Sequence, residues 1–132
     1  KQREQEINLL MNFTKDLDNQ YSIPIIIGGD FNIDFNSIEN YNILNYYTNY
    51  HDLKKSTIEE RCTHVYFSQT KVLNQLDYLL INKKYQNLIN LKKSNVYRFK
   101  NEYGDDLGIP DSVNEKKANP SDHFPIILGI LK

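Results

Sequence analysis

The sequence predicts a single mixed α/β domain of the α+β type. Three observations lead to this prediction. Helical and strand-like stretches alternate along the chain, two strand-like stretches lie close enough to form a hairpin, and no repeat or linker divides the 132 residues. A purely parallel sheet of the Rossmann type is disfavoured, because the hairpin is antiparallel and the chain has no GxGxxG motif.

The first predicted elements are an amphipathic helix and a buried strand. Apolar residues recur at helical spacing over residues 4–17, with charged residues between them, as is typical of a helix packed on a sheet. Residues 23–27 form a short β-branched run, which predicts a strand buried on both faces. Gly28 and Gly29 then allow a sharp turn and a close approach of the backbone to a neighbour.

Two further helices are predicted. Asn36 and Ser37 are suitable caps for a helix over residues 38–47. A short helix is predicted near residues 83–89, where it precedes a strand around residues 94–99. Both helices would connect strands, as the mixed class requires.

The hairpin is predicted in the middle of the chain. Strands over residues 62–67 and 76–81 flank a polar connection, residues 68–75, and this pattern predicts antiparallel pairing. Asp77 lies inside the second strand, with His64 opposite it on the first. His64 could therefore face substrate, although a strand histidine directed to solvent is the simpler interpretation.

The last third of the chain is predicted to be a long loop followed by a strand. Residues 100–120 contain glycines, prolines and many charges, and loops of that length within a compact domain are usually functional or disordered. Residues 124–130 are predicted to form the final buried strand. His51 lies in a polar connection and is expected at the surface.

Composition disfavours a nucleic-acid-binding protein without excluding it, and it argues against a disulfide framework and a transmembrane helix. Sixteen basic and seventeen acidic residues give a net charge of −1, so the chain lacks the positive field of a protein that grips nucleic acid through phosphates. Cys62 is the single cysteine, which excludes an internal disulfide, and we expect it to be a small core residue. The apolar runs are far shorter than the roughly 20 residues of a transmembrane helix.

Polar residues at the ends of two apolar strands point to chemistry. Asp30 and Asn32 follow the first predicted strand, and Asp122 and His123 precede the last one. Carboxylate and carboxamide oxygens suit a hard cation such as Mg²⁺, and an imidazole can transfer a proton. Such a set at one edge of a sheet is what metal-assisted phosphate chemistry requires.

Each of these residues also has a structural interpretation. Asp30 can be a turn residue that accepts hydrogen bonds from nearby N–H groups. Asp122 can belong to a simple turn, with His123 as an ordinary hydrogen-bonded histidine. Asp77 interrupts an apolar strand and needs a partner, and an imidazolium is the natural one because the pair orients the ring.

Three separated motifs resemble one family. Gly-Asp-Phe-Asn at residues 29–32, Leu-Asp-Tyr-Leu-Leu at residues 76–80 and Ser-Asp-His-Phe-Pro-Ile at residues 121–126 match, in order and spacing, the C-terminal motifs of the endonuclease/exonuclease/phosphatase superfamily, which has the DNase I-like fold. The resemblance covers nearly the whole chain. Its sphingomyelinase-like and toxin-nuclease-like branches are the most similar.

The resemblance implies a four-layered α/β sandwich, in which two mixed β-sheets pack face to face with helices outside. Residues 1–132 would be the C-terminal portion of that domain. The family's N-terminal half, with its early asparagine and its glutamate ligand of Mg²⁺, cannot be located. The chain also lacks an initiator methionine, so we expect it to be part of a longer polypeptide and inactive by itself, although its parent would be active.

The resemblance also implies a role for each site residue. His123 would contact the scissile phosphate as general base or transition-state stabiliser, and Asp77 would orient it. Asp30 would position or deprotonate the attacking water, and Asn32 would bind the phosphoryl oxygen. Asp30 and Asp122 would serve a Mg²⁺ ion, with Mn²⁺ as the alternative metal, Asp122 directly or through water.

Several substrates and functions are compatible with these motifs. A phospholipid such as sphingomyelin is preferred, because the motifs resemble those of the sphingomyelinase-like branch and the chain is near neutral. The resemblance also implies that the loop of residues 96–120 makes peripheral membrane contact, although an ordinary surface loop with buried tyrosines is the simpler interpretation. DNA or RNA is the alternative substrate. A third possibility is an inactive fragment or binding module of the same fold. We expect a monomer, and the sequence leaves a cytoplasmic or secreted location open.

Overall fold

The protein is described by a computed structural model that covers residues 2–36 and 42–132. It combines helices with small antiparallel sheets, which confirms the predicted α+β class. The elements in chain order are α1 (Gln2–Tyr21), β1 (Ile26–Asp30), α2 (Ile43–Tyr46), β2 (Tyr47–Asn49), α3 (Tyr50–Lys54), α4 (Ile58–Arg61), β3 (His64–Phe67), β4 (Lys71–Asn74), β5 (Asp77–Asn82), a 3₁₀ helix (Lys83–Leu88), β6 (Ile89–Val96), α5 (Val113–Ala118) and β7 (Ile126–Ile130).

Three sheets are formed by these strands. β5 is the central strand of the largest one, with β1 on one side and β2 on the other. β3 pairs with β4, and β6 pairs with β7. All of these pairings are antiparallel. β5 therefore has neighbours on both sides, and the residue at its start is held in a fixed register.

Helix α1 confirms the amphipathic pattern, although it is longer than predicted. Its buried residues Ile7 and Met11 pack in one apolar cluster with Ile27 of β1 and with Tyr78 and Leu80 of β5. Because this cluster joins α1 to two neighbouring strands, it holds the edge of the sheet at which β1 ends.

The first strand differs from its prediction in both position and burial. It begins at Ile26 and includes Gly28 and Gly29, so the glycines lie inside the strand and do not make the predicted sharp turn. Only Ile27 is buried, because β1 is an edge strand of its sheet. The predicted close approach is found at Gly28, where a Cβ would lie 2.6 Å from Leu79 Cδ2.

The second predicted helix is only partly observed. Residues 38–41 and the proposed cap Ser37 lie outside the described residues, and helix α2 covers Ile43–Tyr46. Tyr47, predicted to be helical, instead begins β2 and pairs with Asn82. The available partner strand β5 has overridden the local helical pattern here.

The predicted pairing of the two hairpin strands is wrong. β3 pairs with β4, which is formed by residues that were predicted to be a polar connection, and β5 pairs with β1 and β2 instead. A tight turn follows β3, with Ser68 N donating to the Thr70 carbonyl at 3.2 Å. Because β4 carries only two apolar residues between polar ones, its sequence resembles a loop.

The C-terminal elements follow the prediction with shifted limits. The 3₁₀ helix is observed where a short helix was predicted, and the next strand, β6, starts earlier than residue 94. The loop of residues 100–120 contains the short helix α5. β7 is not fully buried as predicted, because β6 is its one neighbour among the described strands and Ile127 and Ile130 are exposed.

No helix in the described ranges has both the length and the apolar character needed to cross a membrane. This finding agrees with the short apolar runs of the sequence. Cys62 is fully buried in an apolar cluster with Val65, Val96 and Phe124, which confirms its expected place in the core.

The predicted surface position of His51 is wrong. The residue is 3% exposed, the centroid of its ring lies 4.0 Å from the centroid of the Tyr50 ring, and its Nδ1 lies 3.0 Å from Ser56 Oγ. Burial, together with the charges of nearby Lys54 and Arg61, lowers the pKa of His51 to about 4. The ring therefore stays neutral in the folded protein over a pH range in which it is charged in the unfolded chain.

We expect this histidine to make folding sensitive to moderate acid. Between about pH 6.5 and about pH 4, His51 binds a proton in the unfolded chain but not in the folded protein. The free energy of unfolding therefore falls as the pH drops through this window. From pH 7 to pH 4.5 the wild type should lose roughly 2 kcal/mol more than His51→Gln, as measured by urea unfolding. Equal losses in both proteins would contradict this assignment.

Candidate active site

The first component of the candidate site is a pair of carboxylates at the ends of two neighbouring strands. Asp30 is the last residue of β1 and Asp77 is the first residue of β5, and the two are direct partners in the antiparallel register. Asp30 has 38% of its side chain exposed, whereas Asp77 has 17%. Like charges placed opposite each other are unfavourable, so this pair calls for a cation or a hydrogen-bond donor.

His123 provides that donor. Its Nδ1 lies 2.7 Å from Asp77 Oδ2, and its Nε2 lies 3.8 Å from Asp30 Oδ2. A carboxylate can only accept a hydrogen bond, so Nδ1 carries the proton in this contact. When the ring is neutral, Nε2 then has a free lone pair directed to the side of Asp30.

The balance of forces on His123 favours its charged form. Partial burial by itself lowers the pKa of His123, but the hydrogen bond to Asp77 and the charges of Asp77, Asp30 and Asp122 outweigh it and raise the pKa above its ordinary value. An imidazole in this environment accepts a proton more readily than a free histidine.

Thr63 holds the separate parts of the site together. Its Oγ1 accepts hydrogen bonds from Leu76 N at 2.9 Å and Asp77 N at 3.2 Å. Its backbone N donates to the Asn74 carbonyl, and its carbonyl accepts from Phe124 N, each at 2.8 Å. This fully buried residue therefore joins the start of β5 to the segment that carries His123.

The chain after Asp30 is held by backbone contacts. Asp30 Oδ1 accepts a hydrogen bond from Asn32 N at 2.8 Å, and Phe31 N donates to the Leu76 carbonyl at 2.8 Å. Asn32 has a φ of +53°, a left-handed conformation that asparagine tolerates better than most residues. The structural interpretation of Asp30 as a turn residue is thus confirmed for Oδ1, while Oδ2 faces His123.

Tyr78 holds this loop through hydrogen bonds and ring packing. Its hydroxyl donates to the Gln75 carbonyl at 3.0 Å and accepts from Phe35 N at 2.9 Å. Its ring packs against Phe31 and Phe35, with centroids 5.7 and 4.5 Å away. The residue next to Asp77 therefore fixes the loop that follows Asp30.

Two clefts meet at Gly29. One is lined by Gly29, Asp77 and His123 with apolar residues that include Phe99 and Phe124. The other is lined by residues of α1, β1 and the following loop, among them Arg3, Asp30 and Asn32. Nothing lies within 4 Å of the position of a Cβ at Gly29, so the space between the clefts is open.

A second cluster lies on the other side of His123. His64 forms an isolated antiparallel bridge with His123, and their ring centroids are 4.9 Å apart. Donor atoms of His64, Asp122 and His123 all lie within 4.8 Å of one another. Burial and the neighbouring charges of Lys116 and His123 lower the pKa of His64, so this ring is neutral at ordinary pH.

The predicted site residues are therefore only partly brought together. Asp30, Asp77 and His123 form one cluster, and Asn32 contacts Asp30 through its backbone. The two predicted metal ligands, Asp30 and Asp122, fall in different clusters that share His123. His64 is not opposite Asp77 but pairs with Asn74 on β4.

The donors of the first cluster determine how a cation could be held. Asp77 Oδ2 is occupied by His123, and Asp30 Oδ1 by Asn32 N, which leaves Asp77 Oδ1 and Asp30 Oδ2 for an ion, with Asp30 the more exposed of the two residues. Mg²⁺ in proteins is often held by one or two carboxylates while it keeps several waters. The described residues fit a Mg²⁺ ion held in this loose manner.

Sequence reasoning missed Thr63 and Lys116 as residues of the site. A buried threonine before a strand has no distinguishing pattern, and only its hydrogen bonds to the start of β5 reveal its role. Lys116 lies in a segment that was predicted to be loop, and its Nζ is 3.5 Å from His64 Nε2. Neither contact could be inferred without the fold.

No family model, curated protein or solved structure matches the chain. The chemistry of the site is therefore argued from its own residues. A carboxylate that orients an imidazole, beside a second and more exposed carboxylate, can move protons to and from a bound group.

We expect Thr63→Val to destabilise the fold and Thr63→Ser to preserve most of its stability. Valine keeps the shape but leaves the N–H groups of Leu76 and Asp77 without their acceptor, which costs roughly 1–3 kcal/mol each if both stay buried. Serine keeps the hydroxyl and loses one methyl, at about 1 kcal/mol. Urea unfolding of the two variants checks this, and equal stabilities would show that the hydroxyl does not anchor the start of β5.

Proposed function

We propose that the chain is the C-terminal part of a Mg²⁺-dependent phosphodiesterase of the endonuclease/exonuclease/phosphatase superfamily, within a four-layered DNase I-like sandwich. The observation that carries the proposal is the cluster in which Asp77 orients His123 beside Asp30. The three motifs that suggested the family contribute one residue each to this cluster.

His123 binds the phosphate in this proposal. Its Nδ1 stays hydrogen-bonded to Asp77, and Nε2, when protonated, donates to a phosphoryl oxygen. The neighbouring carboxylates of Asp77, Asp30 and Asp122 raise the pKa of His123 and so favour the protonated ring that this role needs. Asn32 is exposed beside Asp30 and offers its carboxamide to a second phosphoryl oxygen.

Asp30 positions the attacking water. Its Oδ2 lies 3.8 Å from His123 Nε2, so a water or a phosphate oxygen that contacts both atoms lies to one side of the line that joins them. The hydrogen bond from Asn32 N fixes the other oxygen and so limits rotation of the carboxylate. Asp30 can therefore accept the proton of the water as it attacks phosphorus.

The metal is Mg²⁺, with Mn²⁺ as the alternative. When bound it polarises the phosphoryl group as a Lewis acid and neutralises the charge that develops there. Asp30 would hold the ion through the water that its Oδ2 orients, and Asp122 would reach it directly or through water. Because these residues provide few oxygens, the 132-residue chain alone should bind Mg²⁺ weakly and turn over substrate poorly.

A phospholipid headgroup is the preferred substrate. The loop after β6 presents Tyr103, which is 81% exposed, whereas Phe99 of the same loop packs on Phe124 with centroids 5.5 Å apart. An exposed aromatic ring on a loop anchored beside the cleft suits the interface of a membrane. The net charge of −1 lacks the positive field that would favour DNA or RNA.

The function is tested on the longest natural polypeptide that contains this sequence, with Mg²⁺ and three substrates: sphingomyelin vesicles, plasmid DNA and an inositol phosphate. We expect hydrolysis of the lipid and a loss of kcat of roughly 10²–10⁴-fold in Asp30→Asn and His123→Gln. The matched control is Asp111→Asn, an exposed carboxylate paired with Lys71 away from the cluster.

Preferential cleavage of plasmid DNA would show that the substrate is a nucleic acid and not a lipid, and it would leave the proposed roles of the site residues unchanged. Unchanged turnover in a folded His123→Gln protein would remove the assigned roles. Hydrolysis at ordinary enzyme rates by the 132-residue chain alone would contradict the incomplete set of metal ligands. No hydrolysis of any substrate by the longer polypeptide would favour a binding module of the same fold.

A further inference from the structure

The second cluster brings together potential metal ligands that the proposed hydrolysis does not use as a set. His64 is the first residue of β3, and Asp122 and His123 lie in the segment before β7. The backbone bridge between His64 and His123 keeps the rings close, and the three donor atoms lie within 4.8 Å of one another. Two separate chain segments thus converge on one point.

The chemistry of this set differs from that of a magnesium site. Two imidazole nitrogens and one carboxylate oxygen are borderline ligands, which favour Zn²⁺ and its neighbours in the first transition series. Mg²⁺ prefers oxygen ligands throughout. Ligand atoms around zinc lie roughly 3–3.5 Å apart, so the three donor atoms, which lie within 4.8 Å of one another, need only small side-chain movements to bind one ion.

His123 is already oriented for coordination. Asp77 accepts the hydrogen bond from Nδ1 at 2.7 Å, so Nε2 is the nitrogen with an available lone pair. A carboxylate that holds the second nitrogen of a histidine is the usual support of a metal-binding imidazole. The residue that orients His123 for phosphate therefore also orients it for a metal.

His64 has an unsatisfied nitrogen. Its Nδ1 is buried and has no hydrogen-bond partner among the described residues. Buried polar atoms in folded proteins are nearly always paired, so an unpaired one suggests a partner that is bound from solution. The other nitrogen, Nε2, lies 3.5 Å from Lys116 Nζ.

We propose that His64, Asp122 and His123 bind a borderline divalent cation, with Zn²⁺ as the preferred ion, at a site that differs from the proposed Mg²⁺ site in its two imidazole ligands and shares Asp122 with it. Lys116 weakens this site, because its ammonium group contacts one ligand and its charge repels the cation. If the proposed hydrolysis is correct, an ion here also occupies Nε2 of His123 and so inhibits the reaction.

The test measures binding of Zn²⁺ alone by titration calorimetry, in excess Mg²⁺, on the full polypeptide. We expect His64→Gln and Asp122→Asn to weaken zinc binding by at least tenfold. Lys116→Gln should strengthen it by roughly three- to tenfold, because one opposing charge is removed. Lys117→Gln, the exposed neighbour, is the matched control and should leave the affinity unchanged.

Co²⁺ provides a second readout, since its visible absorption reports the number and type of ligands. Wild type should give the spectrum of a site with two nitrogen ligands, and His64→Gln should lose it while circular dichroism shows an intact fold. Asp30→Asn should retain zinc affinity within a few-fold, and this variant separates the two proposals because hydrolysis needs Asp30 and zinc binding does not. Wild-type affinity in both His64→Gln and Asp122→Asn, or displacement of zinc by equimolar Mg²⁺, would overturn the site.

Discussion

The hydrogen bond between Asp77 and His123 is the contact on which the candidate site depends. Asp77 is the first residue of the central strand and is mostly buried, so its carboxylate needs a partner to offset the cost of leaving water. His123 supplies that partner from a distant part of the chain. The same contact holds the imidazole in one orientation and directs Nε2 to the side of Asp30. The orientation and the tautomer of the histidine thus follow from one mostly buried carboxylate.

The contact persists only because the backbone around it is anchored. Thr63 accepts two N–H groups at the start of β5 and binds Phe124 N through its carbonyl, so the carboxylate and the imidazole are carried by segments that are already joined. The same arrangement brings His64 next to His123. One imidazole therefore belongs to two clusters, an acidic one suited to phosphate chemistry and a nitrogen-rich one suited to a borderline metal, and it can serve one of them at a time.

Local patterns predicted the parts of this structure that depend on few neighbours. The apolar spacing of α1 and the carboxylates and imidazole at strand ends were visible in the sequence, because periodicity and residue type express them directly. Strand pairing could not be predicted, because the sequence of β4 resembles a loop and the composition of β5 is compatible with pairing to β3 or to β1. Burial of His51 and the role of Thr63 arise from packing and long-range hydrogen bonds. The superfamily and its reaction stay predictions.

The most direct test is the tautomer of His123, measured from the ¹⁵N chemical shifts of its ring in long-range ¹H–¹⁵N spectra at a pH well above its pKa. The Asp77 contact predicts that the neutral ring carries its proton on Nδ1 and has a free lone pair on Nε2. A ring protonated on Nε2, or the mixture of tautomers seen in free histidine, would contradict the account. Either of these two results would show that Asp77 does not fix the orientation of His123 in the two clusters.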